Sequence, residues 1–176
     1  MADRRFKADD GTIWASKYES QVYAELRRVL GSRVRKCTSG GADTFPYPST
    51  VRGGRCLECQ SGSVVQDRSY TPDLFLEQAR DGSGPGPAYI EAKGYWDAHK
   101  RGLLRSAARA NPDLNLIFVF ASDKWVTKGK SKYTDYIRKY FPGSTSVVWS
   151  PVHKLLPGEK RGGKKGPEPF PIEAFL

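Results

Sequence analysis

At 176 residues the chain is long enough to bury a core without disulfides, and it fits one domain spanning residues 1–176, with or without an insertion. Its 29 Lys and Arg against 19 Asp and Glu leave a formal charge of +10, which points to a polyanionic partner such as nucleic acid. The sequence has no run of about 18 apolar residues, no apolar signal core in MADRRFKADD and only three cysteines, which argues against membrane-spanning and secreted disulfide classes and leads us to expect a cytoplasmic protein.

Residues 1–10 are charged and without period, so they are expected to form a mobile basic arm whose Arg4, Arg5 and Lys7 touch phosphates. From Ser16 onward, Tyr18, Val22, Tyr23, Leu26, Val29 and Leu30 recur at helical spacing; Ser16 can cap the start and Gly31 ends the run. Residues 37–67 are crowded with Gly, Pro, Ser and Thr and show no sustained period, which predicts a long connection or a small inserted module. Two strand-like runs, YTPDLFLEQ and AYIEAKGY, flank ARDGSGPGP and are expected to pair antiparallel around that loop. Asp97 caps a helix running to about Ala110, since Pro112 stops it near Asn111. The continuous apolar run LNLIFVFA at 114–121 predicts a strand covered by helices on both faces. Residues 131–140 are expected to be helical and VVW at 147–149 to be a last strand, with 154–169 a basic extended tail. Helix, strands, helix, strand, helix, strand describes an α/β domain around a mixed sheet.

Chemistry concentrates in the hairpin. Alternation puts Glu91 and Lys93 on one face with Tyr89, while Ile90 and Ala92 point to the other. Antiparallel pairing brings Asp73 beside Glu91 across the ladder. Two carboxylates that close repel unless a cation separates them, and hard oxygen donors of this kind favour Mg²⁺ or Mn²⁺, with the Ala92 backbone carbonyl as a further ligand. Lys93, next to that ion, suits orienting a water or offsetting phosphate charge. Glu19 lies within the apolar stripe of the first helix, where a carboxylate is costly unless it binds metal or pairs with a buried arginine.

The order PD, seventeen residues, EAK resembles the PD-(D/E)XK nuclease superfamily. Taken with YIEAKGYWDAHKRGLL, NPDLNLIFVFAS, KWVTKGKSKYTDY and the closing PFP, the chain resembles the phage endonuclease I family of Holliday-junction resolvases over residues 11–36 and 68–176. The resemblance implies a restriction-endonuclease-like core and a catalytic and metal set of Glu19, Asp73, Glu91 and Lys93. It also implies a magnesium-dependent homodimer with exchanged segments that cuts branched DNA, four-way junctions above all, in host cytoplasm if phage-encoded. The sequence departs from the family at 37–67, which is longer and richer in cysteine near where the link between subunits would lie. A site-specific or nicking nuclease of the superfamily and a non-catalytic branched-DNA-binding protein are the alternatives.

Cys56 and Cys59 have the spacing of a metal knuckle with Cys37 upstream, so Zn²⁺ is one reading, completed by Asp43, His99, His153 or a second subunit; reduced thiols are the other. Lys100 with Arg101, Arg105 and Arg109 makes a basic stripe on the second helix, and Lys124, Lys128, Lys130 and Lys132 cluster beside Trp125. Both groups suit DNA phosphates, or else are solvated faces. Tyr95 and Trp96 either stack on an unpaired base or roof the core, the core being favoured for both.

Overall fold

The computed structural model describes residues 6–8, 11–52, 63–79, 87–151 and 169–175. The chain opens on a small antiparallel ribbon, β1 (Phe6–Lys7) against β2 (Ile13–Trp14). Lys7 therefore does not belong to a mobile arm: Phe6 and Ala8 pack on the core beside Trp14, and that burial fixes the strand. Arg4 and Arg5 lie outside the described residues.

Helix α1 (Lys17–Leu30) begins and ends where its caps predict. The Glu19 N–H donates to Ser16 Oγ at 3.2 Å, and Gly31, at φ +60°, takes a conformation closed to most side chains while its N–H meets the Arg27 carbonyl. Tyr18, Val22, Leu26 and Leu30 bury one stripe, whereas Val29 falls outside it and faces solvent. One 3₁₀ turn leads into β3 (Val34–Lys36).

The region without sequence period folds into an antiparallel hairpin, β4 (Phe45–Arg52) with β5 (Ser63–Tyr70). Prolines ordinarily disqualify a strand because they cannot donate to the ladder. Pro46 and Pro48 stand two apart, so their donorless backbones face the same edge, and on that edge the Pro46 carbonyl accepts Asn111 Nδ2 at 3.0 Å. The ladder to β5 is left to the alternate residues, Tyr47 between the prolines and its counterparts on either side.

The predicted hairpin follows as β6 (Leu74–Leu76) and β7 (Ala88–Lys93), then α2 (Ala98–Ala110), capped by Asp97 and closed at Asn111. β8 (Leu116–Phe120) is buried throughout. A short hairpin, β9 (Trp125–Thr127) and β10 (Ser131–Lys132), precedes α3 (Tyr133–Tyr140), which starts two residues later than its sequence suggests because Ser131 and Lys132 pair with β9. β11 (Thr145–Val148) ends the sheet, and a 3₁₀ turn at Ile172–Phe175 ends the described chain.

The central sheet is mixed, in the order β11-β8-β7-β6-β3, with β11, β8 and β7 parallel, β6 antiparallel to β7, and β3 antiparallel to β6. Alternation along β8 feeds two cores. Ile117 and Val119 join Val22, Leu26 and Ile90 under α1, while Leu116, Phe118 and Phe120 meet Leu104 and Ile137 under α2 and α3. Phe170 and Phe175, just past the stretch expected to be an extended tail, return to the α1 side and are buried there; of residues 154–169 all but 169 lie outside the described set. Among the described residues no helix is long and apolar enough to cross a membrane.

Candidate active site

Three elements converge at the carboxyl end of β7. Asp73 stands one residue before β6, and the register Leu74 to Ile90 carried back one step sets it opposite Glu91. Asp73 Oδ2 accepts the Ala92 N–H at 2.8 Å and lies 3.1 Å from Lys93 Nζ. Glu91 meets the same ammonium through Oε1 at 2.7 Å, so one lysine bridges both carboxylates. Ile90 and Ala92 point the other way and are buried in the core, as alternation requires. Glu19 comes from the first turn of α1 and lines the same cleft, about 280 Å³ in volume, with Tyr70, Trp96 and Lys100. Among the described residues no arginine lines that cleft; the cation whose charge Glu19 feels is Lys93.

The electrostatics follow from burial and proximity. Burial alone would lower the Lys93 pKa, but Asp73 and Glu91 outweigh it and hold the ammonium above its ordinary range. Burial pushes Glu91 up to about 7, and Asp73 pushes it in the same direction, against Lys93 and Tyr70. Glu19 is also raised, first by burial and then by Asp73. One ammonium shared among these carboxyls cannot keep all of them at ordinary acidity.

Among the described residues no three His, Cys, Asp or Glu side chains form a ready ion cage; the Asp73 and Glu91 oxygens are turned onto Lys93. The donor chemistry nonetheless fits magnesium, which uses one or two carboxylates and keeps several waters. A strand residue's carbonyl leaves on the same edge as its N–H, so Ala92, whose N–H reaches Asp73, directs its carbonyl to that side as well.

No family model and no curated protein matches the chain.

Sequence reasoning missed Tyr70. Its hydroxyl donates to Glu91 Oε2 at 2.6 Å, 21 residues away along the chain, and no local pattern links the two. In the metal-free protein Glu91 keeps its proton to a higher pH when folded than its ordinary value of 4.5 allows, so the folded state binds more protons between about 4.5 and 7. Stability should therefore fall as pH rises across that window, by at most about 1.4 kcal/mol per pH unit for this one group. Tyr70→Phe removes a hydrogen bond that favours the ionised form and should extend the decline to higher pH, whereas Glu91→Gln should flatten it. Urea midpoints measured against pH in chelator check this, and a Tyr70→Phe curve that overlays the wild type would show the contact to be unimportant.

The remaining candidates separate. Cys37 is buried with a free thiol, pushed up to about 12 by burial and Asp43. Asp43 is not turned to it for metal binding, because it grips Arg35 through two bonds of 2.6 and 2.9 Å. His99 is exposed on α2, and Cys56, Cys59 and His153 lie outside the described residues. The zinc reading thus rests on Cys56 and Cys59. On α2, Arg101 donates to the Trp96 carbonyl and sits 5.7 Å from the Tyr136 ring, and Arg105 sits 5.0 Å from Tyr140. Both help hold α2 to α3, while Lys100 and Arg109 are exposed. Lys124, Lys128 and Lys130 are exposed around the β9–β10 hairpin, and Lys132 is half-buried beside Trp125. Trp96 is core, but Tyr95 is not: the two neighbours point opposite ways.

Proposed function

We propose that the chain is a magnesium-dependent endonuclease with a restriction-endonuclease-like core, hydrolysing phosphodiesters in branched DNA such as four-way junctions. The observation that carries this reading is the charge imbalance of the cleft, where Glu19, Asp73 and Glu91 gather around Lys93, with the exposed Lys100 as the other lining cation. With all of them ionised, 3 − 2 leaves one uncompensated negative charge, and Lys93 alone is in contact with the carboxylates. A structural ion-pair network would be balanced; a cluster short of cations suits a divalent ion.

Magnesium, or manganese, would be held by Asp73, Glu91, Glu19 and the Ala92 carbonyl, and supplies there a Lewis acid and a water of lowered pKa. Lys93, fixed between Asp73 and Glu91, stays protonated and offsets the negative charge that grows on the phosphate oxygens. Tyr70 and the Ala92 N–H hold the carboxylates, so that little reorganisation is needed as reaction proceeds. The oxygen of water bonds to phosphorus, the P–O3′ bond breaks, and the 3′ oxygen takes up a proton, leaving a 5′-phosphate. Lys100 in the cleft, Arg109 and the hairpin lysines would meet flanking phosphates, in keeping with the overall charge of +10. Cuts on two strands need two sites, so the working form is proposed to be a homodimer.

Incubation with Mg²⁺ and a four-way junction, beside a linear duplex of the same sequence, tests the reading. Paired cuts near the branch point are expected. Cuts at a fixed sequence in the duplex would replace the substrate assignment, and binding without cleavage in Mg²⁺ or Mn²⁺ would overturn the enzymatic one. Sedimentation showing only monomer, free and on DNA, would remove the dimer.

A further inference from the structure

We infer that the exposed face formed by Tyr95, Lys124, Trp125 and Lys132 binds unpaired nucleotides beside the candidate cleavage site, with bases stacked on the rings and phosphates at the ammoniums. This deepens the nuclease reading and rests on it for the identity of the polymer.

Tyr95 is 67% exposed and Trp125 53%, whereas the other three tryptophans, Trp14, Trp96 and Trp149, are buried. Each exposed ring has an ammonium beside it: Lys124 Nζ lies 5.4 Å from the Tyr95 ring centre and Lys132 Nζ 5.6 Å from that of Trp125. Lys124 and Trp125 are chain neighbours, so the two ring–cation pairs follow one another directly along the chain. Lys128 and Lys130 flank Gly129, whose φ of +70° makes the hairpin turn, and they add exposed charge. The acidic residue of this stretch, Asp123, is occupied by the Thr134 N–H at 3.1 Å and hydroxyl at 2.9 Å. Those bonds, with Tyr133 N–H to the Lys124 carbonyl at 3.0 Å, fix the hairpin to the start of α3, so the rings are presented on a firm base.

Placement gives the face its role. β7 and β8 run parallel, Lys93 aligns with Phe120, and the Ala121 N–H donates to the Lys93 carbonyl at 3.1 Å. Tyr95 leaves β7 two residues after Lys93, and the hairpin leaves β8 from the same carboxyl edge, where sheets of this kind receive ligands. Phosphate binding alone would need no rings. A base inside a duplex is already stacked on both sides, so only an unpaired base offers a face to Tyr95 or Trp125. Lysine is depleted in protein–protein interfaces, which disfavours a protein partner at a patch carrying four of them.

The test uses the full chain in chelator, where no cleavage occurs, and compares a splayed-arm DNA carrying 2-aminopurine next to the branch with a fully paired duplex of equal length. Wild type is expected to bind the splayed DNA more tightly and to quench its 2-aminopurine, with quenching of the Trp125 emission. Tyr95→Ala with Trp125→Ala should weaken splayed-arm binding by about tenfold per ring while changing duplex affinity less than about threefold. Trp125→Phe, which keeps a ring, should retain most of the binding, and an unaltered melting temperature checks that these surface changes leave the fold intact. A double variant that binds both DNAs as wild type does, or loses both equally, overturns the inference. Ring-dependent binding without any junction cleavage in Mg²⁺ would instead count against the nuclease reading alone.

Discussion

Lys93→Ala and Glu91→Gln are each expected to slow DNA cleavage by about 10³-fold or more while weakening DNA binding less than about threefold. The size of the first effect comes from what Lys93 does: it is the cation 2.7 Å from Glu91 and 3.1 Å from Asp73, and its loss leaves both carboxylates facing an anionic phosphate. Removing one preorganised charge of this kind ordinarily costs 10²- to 10³-fold in rate, and the loss of order around the carboxylates adds to it. Glu91→Gln keeps the shape and the Tyr70 contact but removes a full negative charge from the proposed metal site. Because the two residues act as a unit, the double variant should be little worse than either alone. Affinity should be largely spared because the cations proposed to meet phosphates lie elsewhere, on α2 and the β9–β10 hairpin. Single-turnover cleavage of a labelled junction gives the first number and anisotropy in chelator the second. Turnover within about tenfold of wild type in either variant would show that the assignment is wrong.

Trp96→Ala should cost about 3–5 kcal/mol of stability, and lower the melting temperature by roughly 10 °C, a larger effect than any other single truncation proposed here. Trp96 is 1% exposed and lies at the centre of the second core, with ring centroids of Phe118, Phe120, Tyr133, Tyr136 and Phe141 between 5.5 and 6.2 Å away. Its backbone is held as well, since its N–H donates to the Tyr133 hydroxyl and its carbonyl accepts both that hydroxyl and Arg101. The same side chain lines the cleft three residues after Lys93. Truncation therefore opens a cavity in the core and removes a wall of the site, so cleavage should fall with stability. Trp96→Phe, which refills most of the space, should recover most of both. Guanidinium denaturation monitored by circular dichroism reads the stability change, and a loss below about 1 kcal/mol would show that the aromatic cluster collapses around the gap.

Elements whose signals are local could be read directly from the residues. Ser16 and Gly31 bound α1, Asp97 and Pro112 bound α2, and the apolar run at 114–121 contains β8, because caps, helix breakers and burial on both faces all act within a few residues. The hairpin pattern also sets Asp73 against Glu91, since period-2 alternation and antiparallel pairing leave little choice of register once the core face is apolar. What only the tertiary structure decided is where distant segments support one another. The β4–β5 ribbon forms in spite of its prolines because their bare edge turns to Asn111 of α2, and Tyr70 reaches Glu91 only because that ribbon ends beside β6. Phe170 and Phe175 return to the core from the end of the chain, and Tyr95 parts from Trp96 to face solvent. Contacts of this sort connect residues tens of positions apart and leave no periodic trace, so they exist only once the sheet and its two cores have brought those segments together.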